Sequence, residues 1–85
     1  MIRLYTMEEC PYCKELKDLC TKEGIKFEEV NIHSDKDKEE VDKVFELTKV
    51  DSVPIAKVGN QLIAPDVSFT SIEEAFDIIK TLLKA

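Results

Sequence analysis

Two cysteines frame a proline and a tyrosine in Cys10-Pro11-Tyr12-Cys13, and the place of this motif constrains the chain more than its spacing does. It follows a short apolar run, Met1 to Tyr5, and opens an amphipathic helical pattern, so it reads as a C-x-x-C pair on a strand-to-helix turn. The first backbone N–H groups of a helix lack intrahelical partners, and the helix dipole is positive there, so a thiolate at Cys10 is stabilised. In such positions a thiol pKa falls from ~8.5 to roughly 3.5–7.5, giving a nucleophile at neutral pH. Pro11 suits the first helical position because its φ is already helical and it has no N–H to leave unpaired. Cys13 is then one helical turn from Cys10, near enough to close a disulfide with it.

The rest of the chain reads as one domain, residues 1–85. Ile2, Leu4 and Tyr5 form a first strand, and Thr6 to Glu9 the loop that delivers Cys10. Tyr12, Cys13, Leu16, Leu19 and Cys20 recur at helical spacing, and Gly24 ends that helix. A second strand, Phe27 to Ile32, completes a βαβ crossover, which requires neighbouring parallel strands. Ser34 then reads as an N-cap, with Asp35, Asp37, Glu39 and Glu40 in the first turns and Val41, Val44, Phe45 and Leu47 as the buried stripe. Ile55–Val58 and Gln61–Ala64 form an antiparallel hairpin through Gly59-Asn60. Thr70 with Glu73 reads as the capping box of a last helix, whose inward face is Ile72, Ala75, Phe76, Ile79, Leu82 and Leu83. The order β-α-β-α-β-β-α defines an α/β fold of the thioredoxin-like kind, a four-stranded mixed sheet flanked by three helices.

Charge narrows the function. With 18 acidic against 12 basic residues and a net charge of −6, the chain is expected to bind neither nucleic acid nor anionic membranes. No apolar run approaches spanning length and the N-terminus lacks a signal-peptide pattern, so the expected location is the cytoplasm. In that compartment the three cysteines imply redox or metal chemistry rather than a disulfide framework. A structural zinc site needs two ligand pairs, whereas this chain has one C-x-x-C and a single histidine, His33; no metal is expected. Cys20 shares the helix face of Cys13 and reads as a buried apolar residue.

Leu4-Tyr5-Thr6, Glu9-Cys10-Pro11-Tyr12-Cys13 and Ser52-Val53-Pro54, taken with length and element order, resemble a small dithiol glutaredoxin over nearly the whole chain. The resemblance implies a thiol-disulfide oxidoreductase with Cys10 as nucleophile and Cys13 as resolving thiol, acting as a monomer without a tightly bound cofactor. It implies glutathione as reductant and disulfide-containing proteins as substrates, ribonucleotide reductase among them. It also implies a cis Val53-Pro54 bond beside the disulfide, where the Val53 backbone pairs with a bound thiol peptide, and places Tyr12 at the lip of the cleft. Where the family carries a Gly pair this chain has Ala64-Pro65. The N–H groups of Asp66 and Val67 are then the donors expected to hold a glutathione carboxylate, and Asp66 or Ser68 the acceptor for its amine.

Two further departures concern the nucleophile. The residue three before it, basic in many relatives, is Met7, and Glu8 and Glu9 surround Cys10 with negative charge that Lys14 partly offsets. Two alternatives accompany the glutathione-linked reading: a redoxin of the same kind reduced by thioredoxin reductase, which the Ala64-Pro65 change permits, and an iron-sulfur cluster carrier. Cluster carriers of this family have a single active-site thiol followed by Gly-Phe-Ser, and Pro11-Tyr12-Cys13 departs from that.

Overall fold

The computed structural model describes residues 2–84. Its elements run β1 (Ile2–Thr6), α1 (Pro11–Lys22), β2 (Phe27–Asn31), a 3₁₀ turn at Asp35–Asp37, α2 (Lys38–Thr48), β3 (Ile55–Val58), β4 (Gln61–Ile63) and α3 (Ile72–Lys84). One four-stranded sheet has the order β2-β1-β3-β4. β1 pairs parallel with β2, Tyr5 opposite Val30, and antiparallel with β3, Tyr5 opposite Ile55. β3 and β4 form the antiparallel hairpin, with Ala56 opposite Ile63. Gly59 takes φ +61° at the first turn position, as primed two-residue hairpin turns require. This is the thioredoxin-like α/β fold that the element order predicts.

The strand period of two divides the core. Ile2, Leu4, Ala56 and Ile63 face α1 and α3, where Leu16, Cys20, Phe69, Ile72, Ala75, Phe76 and Ile79 complete the larger cluster. Tyr5, Ile55 and Val30 face the other way and pack on Val41 and Val44 of α2. Arg3 shares the Tyr5 face, and there both side chains meet Glu40. The Arg3 guanidinium donates to both carboxylate oxygens at 2.7 and 2.9 Å, and the Tyr5 hydroxyl donates at 2.6 Å. These bonds tie α2 to the central strand at a point where apolar packing alone would let a short helix slide.

Several local expectations are corrected. β2 and β4 each stop one residue short, at Asn31 and Ile63. Ser34 precedes a 3₁₀ turn, makes no side-chain capping bond, and α2 begins only at Lys38. Leu47, expected in the buried stripe, is 62% exposed, because six residues after Val41 it has turned off the face that Val41 and Val44 share. Leu83, expected inward on α3, is also exposed. The cap of α3 lies one residue further on: Ser71 Oγ accepts from the Glu74 N–H, and Glu74, not Glu73, reaches back to Thr70. α1 ends in a Schellman motif. The Ile25 N–H bonds to the Cys20 carbonyl and the Gly24 N–H to that of Thr21, with Gly24 at φ +72°.

Strand direction then places the site. β3 enters the sheet beside the end of β1, and β4 ends beside the start of β3. The loop before α1, the segment before β3 and the turn after β4 therefore converge at one end of the sheet.

Candidate active site

Cys10 is the N-cap residue of α1. Its backbone is extended, its carbonyl accepts the first helical bond from Lys14 at 3.1 Å, and its Sγ accepts from the Cys13 N–H at 3.1 Å. A sulfur here does what a serine oxygen does at an ordinary N-cap, taking an otherwise orphaned donor. When Cys10 is reduced, the same N–H and the helix dipole stabilise the thiolate, because both favour negative charge at that atom. Cys10 and Cys13 form a disulfide, with Cα atoms 5.2 Å apart. Cys10 is partly exposed and Cys13 is buried, so an incoming disulfide reaches the first sulfur and not the second. Glu9, immediately before the pair, holds a left-handed φ of +56°, the sharp bend that turns the chain from β1 into α1.

Beside the disulfide runs a groove of about 510 Å³ lined by Tyr12 and Glu15 from α1, Ser52-Val53-Pro54, Pro65-Asp66 and the segment from Phe69 to Glu73. The Val53-Pro54 peptide bond is cis, in line with the resemblance. Val53 takes part in no backbone hydrogen bond among the described residues outside helices and strands, so its N–H and C=O are open to an extended peptide. The structure brings Tyr12, Val53, Pro54 and Asp66 together around this groove. It does not do so for the other two: Val67 is 65% exposed and outside the lining, and Ser68 is folded into its own turn. Glu15, Ser52, Thr70, Ser71 and Glu73 were missed. They come from separate elements, and only Ser52, adjoining Val53, could have been found by sequence proximity.

The turn after β4 corrects the expected donor set. The Asp66 N–H donates to the Phe69 carbonyl at 2.8 Å, and those of Val67 and Ser68 both donate to the Ala64 carbonyl, at 3.4 and 2.9 Å. Ser68 Oγ accepts from the Ala64 N–H at 3.3 Å. Position 65, being proline, has no N–H at all. The two amides expected to hold a carboxylate are therefore engaged inside the turn. At the neighbouring start of α3, Glu74 Oε1 already takes both the N–H and the hydroxyl of Thr70, at 3.0 and 2.6 Å.

On the opposite flank of Cys10, Met7, Glu8, Glu9, Lys14, Lys17, Asp18, Glu29 and Asn31 line a wider depression. Glu29 Oε2 accepts from buried Thr6 and from Lys17, and these bonds hold its carboxyl below the usual range, Thr6 contributing most. Cys20 is fully buried away from both surfaces, and burial pushes its thiol up. Among the described residues no group of three or more His, Cys, Asp or Glu side chains could hold a metal ion.

A partly exposed cysteine at a helix N-terminus, its disulfide partner buried one turn on, and a cis-proline segment alongside define a thioredoxin-like dithiol protein. Comparison with known proteins takes this one step further. The glutaredoxin family pattern matches residues 2–63, and the chain belongs to that family. An uncharacterized glutaredoxin-like 8.6 kDa protein in the rubredoxin operon of Clostridium pasteurianum is 33% identical over 64 residues, 74% of this chain and 81% of that protein. Wheat glutaredoxin superposes with a TM-score of 0.72 at 19% identity, covering 99% of this chain and 80% of its own. A buckwheat glutaredoxin–glutathione complex gives 0.73 at 19%, covering 98% and 76%. The chain is a glutaredoxin-like thiol-disulfide oxidoreductase.

Proposed function

We propose that the protein reduces protein disulfides with the Cys10–Cys13 couple and is itself re-reduced by a flavoprotein disulfide reductase of the thioredoxin-reductase kind, in a reducing compartment such as the cytoplasm. In the reduced chain, the Cys10 thiolate attacks one sulfur of a substrate disulfide. The S–S bond breaks, a mixed disulfide forms at Cys10, and the departing thiolate takes a proton from solvent. Cys13 then gives up its proton and attacks Cys10 Sγ, which releases the second substrate thiolate and leaves the Cys10–Cys13 disulfide. Two electrons pass from the protein to the substrate, and the reductase returns two from NADPH through its own dithiol.

One observation carries the choice of electron donor. The amides at the turn after β4 are consumed internally, and Glu74 occupies the start of α3. The Asp66 and Val67 amides, the donors expected to hold a glutathione carboxylate, are therefore not free to do so. Three of the exposed large apolar side chains, Met7, Tyr12 and Val67, surround Cys10 or the groove turn, as suits contact with a protein partner. Ribonucleotide reductase belongs to the class of protein-disulfide substrate this reading admits.

Glutathione as reductant is the second reading. Family membership favours it, as does an open Val53 backbone that could pair with a short thiol peptide. The decisive experiment starts from the oxidised protein and follows NADPH consumption with a coupled protein disulfide, supplying thioredoxin reductase in one arm and glutathione with glutathione reductase in the other. Turnover in the first arm alone is expected; turnover sustained by glutathione overturns the proposal in favour of the second reading.

A further inference from the structure

The groove beside the disulfide is lined by three carboxylates and no cation. Glu15 descends from α1, Asp66 sits on the turn after β4, and Glu73 lies in the first turn of α3. None of the three enters an ion pair among the described residues, and all are exposed. Much of the remaining lining is apolar: Tyr12, Val53, Pro54, Phe69 and Ile72. The far flank of Cys10 does not restore balance. There Glu8, Glu9, Asp18 and Glu29 outnumber Lys14 and Lys17, and Lys17 is held by Glu29 at 2.9 Å.

We infer that this groove selects disulfide substrates whose reacting cysteine is flanked by lysine or arginine, and discriminates against anionic thiols such as glutathione. The inference rests on the oxidoreductase reading and names its substrate class. A lysine or arginine stem is a chain of methylenes with a charge at its end. Laid along Val53 and Pro54, the stem covers the apolar lining while the charge reaches the acidic rim. Glutathione brings two carboxylates and one ammonium, and so meets net repulsion at the same rim. Clefts lined by one sign of charge raise or lower encounter rates by roughly ten- to a thousandfold. That effect weakens as salt shortens the screening length below ~10 Å.

The test uses the full chain, pre-reduced, in single turnover against symmetrical disulfides of capped tripeptides with the cysteine between two lysines, two glutamines or two glutamates. Each rate is divided by that of dithiothreitol with the same peptide, which removes the influence of flanking charge on the sulfur itself. The lysine peptide is expected to react at least about tenfold faster than the glutamate peptide at low salt, with the ratio shrinking as salt is raised. The triple variant Glu15→Gln, Asp66→Asn, Glu73→Gln should bring the ratio to within about twofold. A matched variant on α2, Glu39→Gln, Asp42→Asn, Glu46→Gln, changes net charge equally and should leave the ratio near the wild-type value.

Wild-type rates that are brisk but indifferent to peptide charge overturn the inference. So does a ratio that survives the groove variant or collapses equally in the α2 variant. No reaction with any of the three peptides overturns instead the oxidoreductase reading beneath it.

Discussion

The backbone N–H of Cys13 points at Sγ of Cys10 across 3.1 Å, so the resolving residue also stabilises the nucleophile, and does so with an atom no side-chain substitution removes. Cys13→Ser therefore retains an activated Cys10 while losing the second sulfur. Mixed with a protein disulfide, this variant should accumulate a covalent adduct at Cys10, visible by intact mass and reversed by dithiothreitol. Cys10→Ser should form no adduct, and its turnover should drop to background. An adduct on Cys10→Ser would reverse the roles of the two thiols.

Cys20 is the one cysteine outside the disulfide, and from α1 it packs into the core cluster shared by the sheet and α3. Burial disfavours its thiolate, which makes it a poor nucleophile as well as an inaccessible one. Iodoacetamide should leave the folded, oxidised protein unlabelled and add one carbamidomethyl group after unfolding in guanidinium. Prompt labelling of the folded form would show that this helix face opens to solvent.

What the chain disclosed about itself follows physical range. The C-x-x-C pair, the βαβ crossover and the hairpin at Gly59-Asn60 are set by contacts a few residues long, or by the strict periods of strand and helix. Each was readable. The cap of α3 was misplaced by one residue because Thr70 and Ser71 are both good caps, and only the bond from Glu74 to Thr70 decides between them. The exposure of Leu47 follows from the helix period itself: six residues after Val41 and three after Val44, it turns away from the stripe those two share with Phe45. The groove was half legible: Val53 and Pro54 announce themselves, but Glu15, Thr70 and Glu73 meet them only through the topology. The use of the Asp66 and Val67 amides inside their own turn leaves no trace in residue type, since any residue supplies an N–H.

Three glutamates are held below the usual carboxylate range in the folded chain. Glu40 is held chiefly by the Arg3 guanidinium, Glu29 by the Thr6 hydroxyl and then Lys17, and Glu74 by Thr70. Unfolded glutamates titrate near ~4.3, so as pH falls the unfolded chain binds protons first and gains relative stability. The stabilisation from these groups is present above about pH 4.3 and lost as pH drops through the lower folded values. Tyr5 behaves in the opposite sense: burial and then Glu40 push it up to about 12. Its unfolded value is ~10, so its contribution is complete below that pH and declines as pH climbs toward the folded value. Cys20, also raised by burial, begins the alkaline decline near ~8.5. Tm should be level between roughly pH 5 and 8 and fall on both sides. Tyr5→Phe should remove only the part of the alkaline fall above about pH 10, and an unchanged alkaline limb would count against the Tyr5 assignment.

Lys49 closes α2 with φ +63°, donating its N–H to the Phe45 carbonyl at 2.9 Å. This left-handed position strains any residue with a Cβ and suits glycine. Lys49→Gly should raise stability by roughly 0.5–1 kcal/mol in urea unfolding, because relief of the strained φ outweighs the added freedom of the unfolded chain. A loss of stability would mean that the lysine side chain makes a compensating contact.

Pro65 lies in the groove wall at a position that offers no donor, between an alanine and an aspartate whose amide is already engaged. Pro65→Gly adds one N–H without adding bulk. A hydrogen bond from an amide to a carboxylate is worth about 1.5–3 kcal/mol, so a donor reaching glutathione here should raise glutathione-dependent reduction of the oxidised protein by roughly ten- to a hundredfold. Reduction by the flavoprotein reductase, which needs no such donor, should stay within about twofold. The substitution also frees the unfolded chain and should lower stability by about 0.4–1 kcal/mol, a measurable sign that it is in place. A gain confined to glutathione would identify the missing donor at position 65 as what limits glutathione use by this chain. Absence of any gain in a folded variant would show that the proline is not what limits glutathione use, leaving the carboxylates of Glu15, Asp66 and Glu73 as the next groups to neutralise.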